Sequence, residues 1–332
     1  MTRTKPTIAV LGAGAWGTAL AVLLSRNGLG VRVWGHDPAH VERLRRKRLN
    51  PALPGIRLPE SIEFSADLSV VAGGVRAFLV AVPSHAFRVS LEGLKVSLAP
   101  DGIVAWASKG FEPGSGKLLA TVMDEVLGRR PRAIVSGPTF AIEVARGLPA
   151  ALTVASEDPV VARTVCEWLR NDRLRVYTSE DVTGVQLGGA IKNVIAIAAG
   201  ISDGLGFGAN ARAALITRGL AELARLGVAM GGRKETFWGL AGAGDLILTC
   251  TDDTSRNRRV GLGLGRGKKL ADVLTEIGQE AEGVATAREL YRLAHKLNVD
   301  MPITEQVYRV LYEDVPSVTA VETLFKREPR AE

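Results

Sequence analysis

Lys192 is the only charged side chain between Asp181 and Asp203, in the run Gly188-Gly189-Ala190-Ile191-Lys192-Asn193-Val194-Ile195-Ala196-Ile197-Ala198-Ala199-Gly200. An ammonium taken out of water needs a partner or a shifted pKa. If the run is a helix, Gly188, Gly189, Ile195 and Ala196 lie three and four residues away, with Ala199 one turn further. Four of those five have almost no side chain, which leaves room beside the amine for a ligand. The same pattern also fits a lysine that lays its stem along a core helix and keeps its head in water. Other groups in the chain have to decide between the two.

A hydride or phosphate chemistry needs an anion cradle, and Gly12-Ala13-Gly14-Ala15-Trp16-Gly17 supplies one. It follows a short apolar run, Ile8 to Leu11, and opens a helical pattern from Ala15 to Asn27 that stops at Gly28. In G-x-G-x-x-G the first glycine makes a tight turn, the second admits a pyrophosphate and the third lets helix pack on strand. The helix N-terminus adds free N–H donors. The next strand ends Trp34-Gly35-His36-Asp37. An acid at that point reads the ribose hydroxyl of NAD, and a cation tolerates the phosphate of NADP. Both cofactors fit, with NADPH somewhat favoured through His36 and the basic residues from Arg43 onward.

Further polar residues stand at abrupt turns beside apolar runs. Lys109 follows the strand that ends at Ala107, and Gly137-Pro138-Thr139-Phe140-Ala141 follows the strand that ends at Ser136. Ligands of open α/β sheets sit at those carboxyl ends. Asp245 follows the glycine-rich turn Gly239 to Gly244. Thr254 or Ser255 can cap a helix that opens with Arg256 and Asn257, where N–H groups and a guanidinium suit a phosphate. Taken singly, Asp245 also reads as a helix cap and the arginines as a solvated face. A second glycine run, Gly261 to Lys268, is not a P-loop: the position five before Gly267 is Leu262, and Lys269 follows Lys268.

Strands at 31–34, 77–82, 103–107, 133–136, 152–155 and 174–177, spaced by helical patterns, predict a parallel doubly wound sheet. After Asp181 the pattern turns helical, at 183–201, 210–229, 255–265, 284–297 and 302–313. The expected architecture is a Rossmann-type α/β domain, residues 1–181, followed by an all-α domain, 182–332, for substrate binding and catalysis. The 332 residues carry a net charge of +7, which suits anionic ligands. With 5% aromatic residues and no recognisable nucleic-acid module, nucleic acid is not the expected partner. The run Arg43-Leu44-Arg45-Arg46-Lys47-Arg48 reads as a solvated helix face. Cys166 and Cys250 fit neither a disulfide framework nor a metal site, so a reducing cytoplasm is expected and no metal. The first apolar run is too short for a signal peptide, and no stretch reads as a membrane span, the run around Lys192 coming closest.

Three segments, with the dinucleotide loop, resemble the NAD(P)-dependent glycerol-3-phosphate dehydrogenases of the bacterial type. They are Gly137 to Ala145, Ile191-Lys192-Asn193-Val194, and Gly242-Ala243-Gly244-Asp245-Leu246 running to Ser255-Arg256-Asn257-Arg258. The stretch Gly204 to Gly219 resembles the family as well. The resemblance implies reversible hydride transfer between NAD(P)H and dihydroxyacetone phosphate, giving sn-glycerol 3-phosphate for glycerophospholipid synthesis. It makes Lys192 the general acid/base and Lys109 the cation that polarises the carbonyl. A cation beside a partly desolvated lysine would also lower the pKa of Lys192. Asp245 would bond substrate hydroxyls and position Lys192. Arg256 would hold the phosphate, with Asn257, Ser255, Gly137 and Thr139, and Asn193 and Thr249 would add contacts. Cofactor contacts fall on Gly12, Gly14, Ala15, Trp16, Gly17, His36, Lys109, Ala141, Arg256, Glu280 and Glu282. Thr139 and Ala15 stand where serine also occurs, and Glu280 where the family is often apolar, so a backbone contact is what carries over to Ala15 and Glu280. A homodimer is implied too. The alternatives are a β-hydroxyacid dehydrogenase of related architecture and a non-catalytic NADP-binding regulator.

Overall fold

The computed structural model describes residues 6–328. The chain divides into two compact units, Met1–Glu112 with Leu118–Val182, and Pro113–Lys117 with Thr183–Glu332. A boundary between residues 181 and 182 leaves 113–117 in the first domain. That short segment instead groups with the helical unit, where the Gly114 N–H donates to the buried Glu289 carboxylate at 3.0 Å.

The first unit is built on eight strands: β1 (Thr7–Leu11), β2 (Gly30–Trp34), β3 (Ile62–Ser65), β4 (Ala77–Val80), β5 (Ile103–Trp106), β6 (Arg132–Ser136), β7 (Ala150–Ala155) and β8 (Leu174–Ser179). They form one sheet in the order β3-β2-β1-β4-β5-β6-β7-β8. All pairs are parallel except β6–β7, so the expected parallel sheet carries one antiparallel joint. β1 and β4, at the centre, are apolar and buried nearly throughout, as strands covered on both faces must be. Seven helices connect the strands: α1 (Ala15–Arg26), α2 (Pro38–Lys47), α3 (Leu68–Ala72), α4 (Phe87–Lys95), α5 (Leu119–Leu127), α6 (Ala141–Arg146) and α7 (Pro159–Leu169). α1 buries an unbroken stretch from Gly17 to Leu24 and packs on α6 and β2. β3 is an edge strand without a counterpart in the sequence reading, and it turns Ile62 and Phe64 inward and Glu63 to solvent.

The second unit is helical: α8 (Val182–Gly204), α9 (Gly208–Ala229), α10 (Lys234–Trp238), a π-turn (Leu240–Gly244), α11 (Asp245–Thr251), α12 (Arg256–Gly265), α13 (Leu270–Ile277), α14 (Glu282–Lys296), α15 (Pro302–Tyr312) and α16 (Ser317–Phe325). By length and composition α8 could cross a bilayer, contrary to the reading that no stretch does, but its whole apolar window is buried in protein. α10, α11, α13 and α16 have no counterpart in the sequence reading.

Candidate active site

The dinucleotide loop has the mechanics its glycines require. Gly12 has φ +122°, and a Cβ there would lie 2.7 Å from the Ala81 carbonyl oxygen. A Cβ on Gly17 would lie 1.9 Å from the Gly12 carbonyl oxygen. The two glycines thus clamp loop, helix and strand together. Gly14 is different: a Cβ there would meet open space. It precedes α1, which no side chain caps, so the first-turn N–H groups stay available to an anion. The indole Nε1 of Trp16 is a buried donor without a partner among the described residues. An open glycine, an uncapped N-terminus and an orphaned donor together fit a dinucleotide pyrophosphate. Ala15 is the first residue of α1 and Ala141 the first of α6. His36 is exposed beyond β2.

At the carboxyl ends of β5 and β6, one carbonyl gathers two of the expected site residues. The Lys109 ammonium donates to the Gly137 oxygen at 3.4 Å, and the Thr139 hydroxyl to the same oxygen at 3.3 Å. Gly137 has φ +145°, and a Cβ would come within 2.8 Å of Leu152 Cα, so only glycine brings that carbonyl here.

In the helical unit Lys192 is 7% exposed and Asp245 is fully buried. Lys192 Nζ donates to Asp245 Oδ1 at 2.5 Å and to Thr249 Oγ1 at 2.9 Å. Thr249 in turn donates to the backbone oxygen of Asp245 at 2.6 Å, which turns its lone pairs to the lysine. Asp245 and Thr249 stand one turn apart on α11, so a single helix presents both groups to α8. A snorkelling lysine is excluded by this arrangement. One expectation is corrected: Gly188 does not leave room for a ligand. A Cβ there would lie 2.3 Å from the Ala241 carbonyl oxygen, so the backbone of the π-turn fills that space. Close by, burial pushes the Cys250 thiol up to about 12, which makes it inert.

α12 begins as expected. Ser255 is its N-cap and accepts the Arg258 N–H at 3.2 Å, Arg256 is its first residue, and Asn257 follows. Asn257 is partly committed to structure, since its side-chain oxygen accepts the Gly283 N–H at 2.9 Å. Asn193 donates to Glu282 at 3.5 Å. Glu282 opens α14, and Glu280 is exposed on the connection before it. Sequence reasoning missed Arg258, whose guanidinium pairs with Asp253 and, at 2.5 Å, with Asp203. The missed signal was its partner: Asp203 is the acid that ends the apolar Lys192 run. No group of three or more His, Cys, Asp or Glu able to hold a metal occurs among the described residues.

Residues 7–162 match the family model described as NAD-dependent glycerol-3-phosphate dehydrogenase N-terminus, and residues 181–322 match the corresponding C-terminus. The chain belongs to the NAD-dependent glycerol-3-phosphate dehydrogenase family. Among relatives of this family, the glycerol-3-phosphate dehydrogenase (NAD(P)+) of Thioalkalivibrio sulfidiphilus is 55% identical over 331 residues, 99% of each chain. That of Shewanella halifaxensis is 52% identical over 98% of this chain and 97% of its own. The crystal structure of glycerol-3-phosphate dehydrogenase from Coxiella burnetii superposes with a TM-score of 0.95 at 44% identity, covering 98% of this chain and all of that one. D-mandelate dehydrogenase shares the fold alone, with a TM-score of 0.65 at 14% identity over 93% of this chain and 98% of that one. A hydroxyacid dehydrogenase is therefore not the favoured reading.

Proposed function

We propose that the protein catalyses reversible hydride transfer between NAD(P)H and dihydroxyacetone phosphate, giving sn-glycerol 3-phosphate for glycerophospholipid synthesis. The observation that carries this reading is the buried Lys192 ammonium aimed by Asp245 and Thr249. When bound, the nicotinamide supplies the hydride in one direction and takes it in the other. The loop from Gly12 to Gly17, with Ala15, Trp16, His36 and Ala141, would hold the cofactor, joined by Lys109, Arg256, Glu280 and Glu282.

Reduction of a ketone at C2 puts negative charge on its oxygen, which must gain a proton. Lys192 is the group to give it, and in the reverse direction to take it from the alcohol. Two of its N–H bonds are set by Asp245 and Thr249, so the amine is oriented before substrate arrives. Asp245 also accepts from substrate hydroxyls. Lys109 polarises the carbonyl. Arg256, the first residue of α12, holds the phosphate, with Asn257, Ser255, Gly137, Thr139, Asn193 and Thr249 supporting. We assign the protein to the cytoplasm, in keeping with two buried free cysteines, and to a homodimer.

The test is loss of reduced-nicotinamide absorbance on adding dihydroxyacetone phosphate, with NADPH and NADH in separate runs. Turnover with this ketone and none with 2- or 3-keto acids is expected. A response to keto acids alone would favour the hydroxyacid enzyme, and no turnover with either would leave a binding protein. Sedimentation reads out the dimer.

A further inference from the structure

α8 and α12 touch backbone to backbone along a glycine seam. A Cβ on Gly261 would lie 1.9 Å from the Ile197 carbonyl oxygen, and one on Gly200 would lie 2.0 Å from that of Arg258. Further along, a Cβ on Gly265 would meet the Ile201 oxygen at 2.4 Å, and one on Gly204 the Leu262 oxygen at 2.6 Å. Contacts advance together along both helices, so the two run in the same direction. Each contributes glycines four apart, Gly200 and Gly204 on α8, Gly261 and Gly265 on α12. Side chains this small let helix axes approach to a distance no other residue permits.

The seam is also tied by side chains. Asp203, near the C-terminal end of α8, takes Arg258, in the first turn of α12, at 2.5 Å and Arg212 of α9 at 3.0 Å. Asp203 and Arg258 are almost wholly buried, so the pairing fixes one register. At the N-terminal end of the seam Gly283 is wedged between the helices. A Cβ there would lie 2.7 Å from the Asn193 carbonyl oxygen and 2.7 Å from Asn257 Oδ1. The seam therefore begins at Asn193 and Asn257, each one residue after a group assigned to the reaction: Lys192 on α8 and Arg256 on α12.

We infer that this seam, with Asp203 and Arg258 as positioning residues, sets the spacing between the proton-transfer group Lys192 and the phosphate clamp of α12. That spacing selects a ketone whose carbonyl lies a short, fixed distance from its phosphate. The inference rests on the roles proposed for Lys192 and Arg256. Ordinary packing contacts would tolerate an added methyl by shifting a flexible side chain. Here backbone meets backbone, so any added group moves one helix bodily against the other.

The test uses Gly204→Ala, at the far end of the seam from Lys192, and Arg258→Lys, which keeps the charge but cannot reach both acids. Rates with NADPH are measured on dihydroxyacetone phosphate and on dihydroxyacetone without its phosphate, alongside melting curves. A displacement on the order of 1 Å can cost roughly 100-fold in rate. We expect kcat/KM on the phosphorylated ketone to fall by roughly 10- to 100-fold in Gly204→Ala, less in Arg258→Lys, while the slow rate on the unphosphorylated ketone changes by under about 3-fold. An equal fall on both ketones, or no fall in either variant that stays folded, overturns the inference. If Gly204→Ala does not fold, Arg258→Lys alone decides. Failure of the wild-type protein to reduce dihydroxyacetone phosphate would instead strike the proposed function.

Discussion

Asp37 accepts the backbone N–H of Ala39 at 2.9 Å, which makes it the N-cap of α2. The same backbone contacts, His40 first, hold its carboxyl below the ordinary value. An acid at the end of the second strand would ordinarily read the ribose of NAD. Here the exposed Asp37 is turned onto its own helix, and the exposed His36 stands beside it. We therefore predict that Asp37→Ala lowers the melting temperature but changes the ratio of kcat/KM for NADPH over NADH by less than about 3-fold. His36→Glu, which sets a carboxylate against a 2′-phosphate, should lower that ratio by roughly 10-fold or more. Steady-state kinetics with both reduced cofactors decides; a collapse of NADH use in Asp37→Ala would mean the acid does read ribose.

Lys192→Ala should retain cofactor binding and lose roughly 10²- to 10⁴-fold in kcat, the usual worth of a positioned proton donor. Near-normal kcat would remove Lys192 from the chemistry. Asp245→Ala should act differently, because it strips a carboxylate from a buried ammonium. That loss should destabilise the fold by about 3–5 kcal/mol as well as slow turnover, whereas Asp245→Asn should keep most stability and still be slow. Chemical denaturation run beside kinetics separates the two effects.

Neighbouring residues on α12 should split in their effects. Arg256→Ala is expected to raise KM for dihydroxyacetone phosphate by roughly 10- to 100-fold, matching about 1.5–3 kcal/mol for hydrogen bonds to a charged group. Asn257→Ala leaves the Gly283 N–H, buried between α8 and α12, without its acceptor. It should cost about 1–3 kcal/mol of stability before any effect on KM. An unchanged KM in Arg256→Ala would count against the phosphate role.

The glycines show where the sequence was readable and where it was not. Gly12, Gly14 and Gly17 could be read because strand, loop and helix follow in the order their mechanics demand. Lys192, Asp245 and Thr249 came from resemblance and chemistry, and the structure joins them directly. Gly239 to Gly244 reads as a turn; Gly239 is extended and ends α10, while Leu240–Gly244 forms a π-turn that runs into α11, and a Cβ on Gly242 would lie 2.1 Å from the Phe237 oxygen. The run from Gly261 is no P-loop and reads only as part of a helix over 255–265, and it forms one side of the α8–α12 seam. A glycine kept for left-handed backbone and a glycine kept for close approach look alike in sequence. Only the partner surface tells them apart.

Glu222 provides a prediction that leaves the active site untouched. It lies on α9, 2% exposed, and accepts the N–H of Ile303 at 2.6 Å and of Thr304 at 3.1 Å at the start of α15. Burial pushes its carboxyl up from 4.5 to about 7, against those N–H groups, the Thr304 hydroxyl and the nearby Arg225, which favour the carboxylate. Desolvation therefore wins over capping. Between pH 4.5 and 7 the folded chain holds a proton that the unfolded chain has released, so stability falls as pH rises through this window. A shift of this size corresponds to about 3 kcal/mol, full below pH 4.5 and lost above 7. Glu222→Gln keeps an acceptor for the N–H groups and cannot titrate. The stability difference between Glu222→Gln and wild type, by urea unfolding at pH 5 and pH 8, should move by about 2.5 kcal/mol in favour of the glutamine variant at pH 8. A difference that stays constant across that range would show that Glu222 is ionised throughout.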